Sequence, residues 1–115
     1  MISKRPEKNK AAATVQISAA DFAALRDFLR GYLHEDVVDE YGSPEGAVQQ
    51  FCHDASASQV ETVASQWRQL LQQTQGQPIA EINLLLNRKL GCAWSFTSPH
   101  ELKKVTDAFV RCARH

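Results

Sequence analysis

The stretch FLRGYLHEDVVDEYGSPEGAV, Phe28 to Val48, sets His34 among four carboxylates, Glu35, Asp36, Asp39 and Glu40, with Tyr32 and Tyr41 on either side. Proton transfer, cation coordination and charged recognition would each use such a grouping. For proton transfer, His34 would act as base with Glu35 or Asp36 as acid, within hydrogen-bond reach of a substrate held in a concave site. The chain offers no nucleophile motif, no glycine-rich phosphate loop and no second clustered histidine to complete one. For a metal, HEDVVDE lacks the second histidine one turn on that a zinc-protease helix uses, and lacks the alternating carboxylates and central glycine of a calcium loop. His53 and Asp54 read as the exposed end of a helix. No catalytic residue, metal ligand or cofactor is therefore assigned, and the chain is not expected to be an enzyme.

Charged recognition fits better. The net charge of zero hides an asymmetry: between Asp21 and Glu61 nine carboxylates face only Arg26 and Arg30, a net of minus seven. Such a segment is a poor surface for nucleic acid, which needs lysine and arginine to replace phosphate counterions. At about 100° per residue a helix over 34–41 gathers Glu35, Asp39, Asp36 and Glu40 within about 140° of arc. Val37, Val38, Tyr41 and His34 fall on the other side, which places His34 at a rim or in the core rather than with the acids. Glu35 with Asp39 and Asp36 with Glu40 are like-charged pairs one turn apart, each costing about 0.2–0.5 kcal/mol. Folding has no use for them, and two readings follow: a solvated face that is acidic by chance, or an acidic face that meets a basic protein partner.

The elements that position this face are marked by helix punctuation. Ser18 with Asp21 forms the pattern of a capping box, and Ile17 and Phe22 occupy the positions of a hydrophobic staple. A first helix from about Ala19 carries Phe22, Leu25, Phe28, Leu29, Tyr32 and Leu33 on one stripe, with Gly31 weakening or ending it. Gly42 suits a stop, Ser43 an N-cap and Pro44 the first position of a helix reaching about Ala55. Ser56 with Gln59 opens a long helix, about Ala57 to Gln75, whose stripe includes Val60, Val63, Trp67, Leu70 and Leu71. Further helices are expected from Pro78 to the stop at Gly91, and from the Ser98–Glu101 pair to the C-terminus with Leu102, Val105 and Phe109 inward. Trp67 and Trp94 are read as core, and Lys103, Lys104, Arg111 and Arg114 as a solvated basic face.

No stretch alternates as a strand, so the expected fold is all-α, a compact bundle of five to six short helices. In 115 residues there is room for one domain, here residues 18–115, behind a flexible basic tail, residues 1–17. No apolar run approaches the ~20 residues of a membrane span, and no apolar stretch follows the basic start as in a cleaved secretion signal. Cys52, Cys92 and Cys112 are odd in number and widely spaced, which reads as reduced structural thiols of a cytoplasmic protein.

Three segments, FLRGYLHED, EYGSPEGAVQQF and LGCAW, resemble in their order the immunity proteins of bacterial contact-dependent growth inhibition systems, the helical CdiI family. The resemblance spans roughly Phe22 to Trp94 and leaves the basic tail and last helix unmatched. It implies a cytoplasmic antidote that binds and blocks the variable C-terminal toxin domain of a CdiA protein, with no direct nucleic-acid or membrane partner. Such toxin domains are often nucleases, frequently cutting transfer RNA. By the matching motif, Tyr32, His34, Glu35, Asp36, Glu40 and Tyr41 become candidate interface positions, joined by Asp39 from its place on the acidic face. Tyr32, His34 and Tyr41 could equally serve the core. The alternative is a helical adaptor or regulatory protein that binds another basic partner.

Overall fold

Serine, proline and glycine set the limits of nearly every helix. The computed structural model describes residues 17–113, so residues 1–16 of the expected tail lie outside the described residues, while Ile17 is buried against the core. Ser18 Oγ accepts from the Ala20 N–H at 3.3 Å and opens a 3-10 turn, Ala19–Phe22, that runs into α1, Ala23–Tyr32. The hydroxyl thus serves Ala20, not the residue three positions on that a capping box would satisfy. Gly31 lies within α1 without ending it; the chain leaves the helix at Leu33, with φ −104° and ψ 58°.

The second helix, α2, is the short Val37–Tyr41, closed by Gly42 at φ 82°. Ser43 Oγ then accepts from the Gly46 N–H at 3.1 Å and starts α3, Pro44–Asp54. A reciprocal capping box opens α4, Ala57–Gln73: Gln59 N–H donates to Ser56 Oγ at 3.2 Å and Ser56 N–H to Gln59 Oε1 at 3.0 Å. The fifth helix, α5, spans Ile79–Leu90 and stops at Gly91, whose φ of 68° is the left-handed cap that a glycine adopts without steric cost. The last, α6, spans Pro99–Ala113, with Glu101 N–H bonded to Ser98 Oγ at 3.4 Å. The architecture is all-α, six helices with no strand among the described residues.

Helix α6 lies against α3 and α4, and α1 packs on α4. Their shared core contains Leu25, Phe28, Leu29, Val63, Trp67, Leu70, Leu86, Leu90, Val105 and Phe109, each at most 3 % exposed. Burying one such side chain stabilises the fold by about 1.5–3 kcal/mol. Trp67 keeps its indole N–H satisfied by donating to Thr106 Oγ1 at 2.8 Å, as a buried donor must.

The cysteine reading needs a correction. Cys52 of α3 and Cys112 of α6 are joined as a disulfide across 60 residues of sequence, and only Cys92 is a free thiol. Wide spacing in sequence was a poor guide because the α3–α6 packing brings the two positions to a Cα separation of 6.1 Å, ordinary for a disulfide.

Candidate functional site

Helix α1 ends on its own carbonyl: Leu33 N–H donates to Leu29 O at 3.0 Å, after which the chain turns. Residues 33–36 are therefore a turn, not the first half of the helix expected over 34–41. Within it, the backbone N–H of Asp36 donates to His34 Nδ1 at 3.1 Å. Since a backbone amide only donates, Nδ1 is the unprotonated nitrogen, and Nε2 carries the proton that it gives to Glu40 Oε1 at 3.1 Å. The histidine expected to lie apart from the acids is thus bonded to one of them, because the turn swings its ring over α2.

Glu35, Asp36 and Asp39 are exposed, and among the described residues none of the three forms a side-chain hydrogen bond or an ion pair. Asp36 occupies the N-cap position of α2 without capping it. Asp39 and Glu40 lie in the first turn of α2, where the helix dipole favours negative charge and offsets part of their mutual repulsion. The turn also alters the apolar side. Val37 is buried as expected, but Val38 is 57 % exposed and stands among the carboxylates.

A ladder of aromatic rings backs this surface. Phe28 stacks on Tyr32 at 5.5 Å between centroids, Tyr32 on Tyr41 at 5.8 Å, and the His34 ring lies 6.0 Å from that of Tyr41. Tyr32, His34 and Tyr41 are each half-buried, and the rings of Tyr32 and Tyr41 pack against the core. The Tyr32 hydroxyl donates to Asp54 Oδ2 at 2.9 Å, and Gln50 Nε2 donates to Asp54 Oδ1 at 2.9 Å. Burial, and then the Asp54 acceptor and its charge, push Tyr32 ionisation up to about 12. Burial and the neighbouring Glu40 carboxylate raise Tyr41 as well. Asp54, read from sequence as a plain helix end, extends the acidic surface from α2 to the end of α3.

Two remote contacts hold the turn in place. Trp94 N–H donates to Leu33 O at 3.2 Å, and Cys92 Sγ lies 3.7 Å from the same oxygen. The irregular segment 91–96 that supplies them is fixed to α5 by Asn83, which accepts from Phe96 N–H and donates to Phe96 O, both at 2.8 Å. Burial raises the Cys92 thiol to about 11, so it is a protonated packing residue with Trp94 O as acceptor at 3.3 Å. On the other side, Gly46 approaches the Tyr41 carbonyl so closely that an added Cβ would collide with it. The segments FLRGYLHED, EYGSPEGAVQQF and LGCAW thus meet around one turn. Trp94 is half-buried there, and its indole N–H has no partner among the described residues.

Among the described residues no group of three or more His, Cys, Asp or Glu is placed to hold a metal ion. The surface can bind by charge and by amphipathic ring edges. On α6, Lys103 pairs with Asp107 at 3.1 Å and Lys104 reaches Glu45 at 3.9 Å, so part of its basic charge is matched within the protein. Asp54 and Val38 are the residues that sequence reasoning missed. The charge of Asp54 was visible, but its link to Tyr32 is tertiary, and the exposure of Val38 follows from the turn.

Comparison with known families matches residues 21–108 to a family described as CdiI immunity protein. No curated protein and no solved structure matches the chain.

Proposed function

Because the chain belongs to the CdiI immunity protein family, we propose that it neutralises the C-terminal toxin domain of a CdiA protein by stoichiometric binding through the surface of residues 32–41, without a reaction of its own. The toxin in this reading is a nuclease, of the transfer-RNA-cutting kind that is frequent among such toxin domains. A nuclease must hold phosphates with lysine and arginine, and its cleft attracts a cluster of carboxylates for the same reason. The observation that carries the reading is that Glu35, Asp36 and Asp39 stand exposed without an internal cation among the described residues. Complementary charge of this kind speeds encounter and rejects wrong partners.

Tyr32, His34 and Tyr41 supply amphipathic edges beside the charges, and Val38 supplies an apolar contact inside the charged rim, where binding energy concentrates once water is excluded. The chain acts in this reading in the cytoplasm, where the toxin meets RNA; no described helix is long and apolar enough to cross a membrane. There the thiol pool opposes the Cys52–Cys112 bond, and the contact of α3 with α6 rests on packing.

Co-expression with the C-terminal toxin domain encoded beside this chain tests the reading. Cells should keep growing, and the two chains should purify together as a one-to-one complex. Growth arrest despite abundant chain, or elution of the two apart, counts against it, and a complex with an unrelated basic protein would favour a helical adaptor.

A further inference from the structure

Between α1 and α4 lies a cleft of about 350 Å³ that shares Tyr32 with the acidic surface. Its floor is apolar, formed by the buried Phe28, Phe51 and Val63. Tyr32 makes one wall, its ring fixed by stacking on Phe28 and by an edge contact with Phe51 at 5.4 Å. Asp27 and Thr62, both exposed, stand on the rim. At the Tyr32 end, Asp54 is held by the Tyr32 hydroxyl and by Gln50. Among the described residues no cationic residue lines the cleft, and no lysine or arginine pairs with Asp27 or Asp54.

An apolar floor, an aromatic wall and the Asp27 carboxylate on the rim, with Asp54 beyond Tyr32, are the complement of a long cationic side chain. An arginine side chain lays its methylene stem on apolar and aromatic surface and offers its planar, paired donors to a carboxylate, which a lysine ammonium cannot match in geometry. A neutral or acidic side chain would leave Asp27 and Asp54 as they are. We infer that this cleft receives an arginine side chain of the partner toxin domain, as a second anchor beside the acidic turn. The inference rests on the reading that the partner is a basic toxin domain, and it adds Asp27, Asp54 and Thr62 to the residues that decide which toxin is bound.

The full chain and the C-terminal toxin domain encoded beside it serve as the test pair. Thr62→Trp fills the cleft from an exposed position and should weaken toxin binding at least tenfold, with an unfolding midpoint like that of the parent. Asp27→Asn should weaken binding by fivefold or more. In double-mutant cycles against single arginine-to-alanine variants of the toxin domain, one arginine should lose most of its effect once Asp27 or Asp54 is neutralised. Parent-like binding by both Thr62→Trp and Asp27→Asn, with the unmodified pair still forming its complex, overturns the inference and leaves the proposed function standing. Absence of any complex between the unmodified chains would remove that function and this inference together.

Discussion

Tyr32 Oη and Asp54 Oδ2, 2.9 Å apart, join the last residue of α1 to the last residue of α3. The bond spans 22 residues of sequence and sets one side of the acidic surface.

This contact is expected to show in alkaline titration. Free tyrosine ionises near pH ~10, whereas Tyr32 is held up to about 12 by burial and by Asp54. Because the folded value is the higher one, its stabilisation is fully present below pH ~10 and is lost as pH rises toward 12. Near-ultraviolet absorbance should therefore show little tyrosinate at pH ~10, and Tyr32→Phe should lose that alkaline window of stability. Full ionisation of both tyrosines near pH ~10 would show that the bond does not persist in solution.

Neutralising the acidic turn should affect encounter more than folding. With Glu35→Gln, Asp36→Asn, Asp39→Asn and Glu40→Gln combined, association with the toxin domain should slow about tenfold or more at low salt and lose much of its salt dependence. Stopped-flow rates across a salt series check this, with helix content by circular dichroism unchanged. An unchanged rate moves the docking surface elsewhere.

Val38 should matter to binding and not to stability. Exposed as it is, Val38→Ala should change unfolding free energy by less than ~0.5 kcal/mol. Its burial in the complex should contribute about 1 kcal/mol. Calorimetric titration and chemical denaturation of the same variant separate the two.

The Cys52–Cys112 bond closes a loop of 60 residues. In the chain-entropy model such a crosslink stabilises by about 4 kcal/mol. Reduction, or Cys52→Ser with Cys112→Ser, should lower the unfolding free energy by an amount approaching that value, and the denaturation midpoint with it, while leaving the helices folded. Equal midpoints with and without reductant would indicate that the bond does not form in the isolated protein.

Gly46→Ala should cost more than an exposed helix glycine normally would. The new Cβ meets the Tyr41 carbonyl, a backbone atom that cannot swing aside. A loss of about 1–3 kcal/mol is expected, with amide shifts in nuclear magnetic resonance spectra concentrated in α2 and the first turn of α3. A neutral effect there would mean that α2 yields easily.

The helix limits were legible because their signals are local: Ser43, Ser56 with Gln59, Gly42 and Gly91 act within a few residues of where they stand. The apolar stripe of α4 likewise led directly to buried Val63, Trp67 and Leu70. The turn at 33–36 was not legible, because Leu33 spends its carbonyl on Trp94, 61 positions away, and no helix period encodes that. Glu35 and Asp36 are exposed as expected but lie in this turn and not in a helix, and the contact of His34 with Glu40 and the exposure of Val38 go with the same turn. The Cys52–Cys112 pair and the Tyr32–Asp54 bond escaped notice for the same reason, since both depend on how separate helices come to lie side by side.

The strip that Asn83 fastens beneath Leu33 also limits how this surface could be borrowed. A synthetic fragment covering residues 32–54 would contain every charge of the acidic turn yet leave behind the scaffold that dictates its shape. Any miniature inhibitor copied from this protein would have to import the Cys92–Trp94 brace or replace it with a covalent substitute.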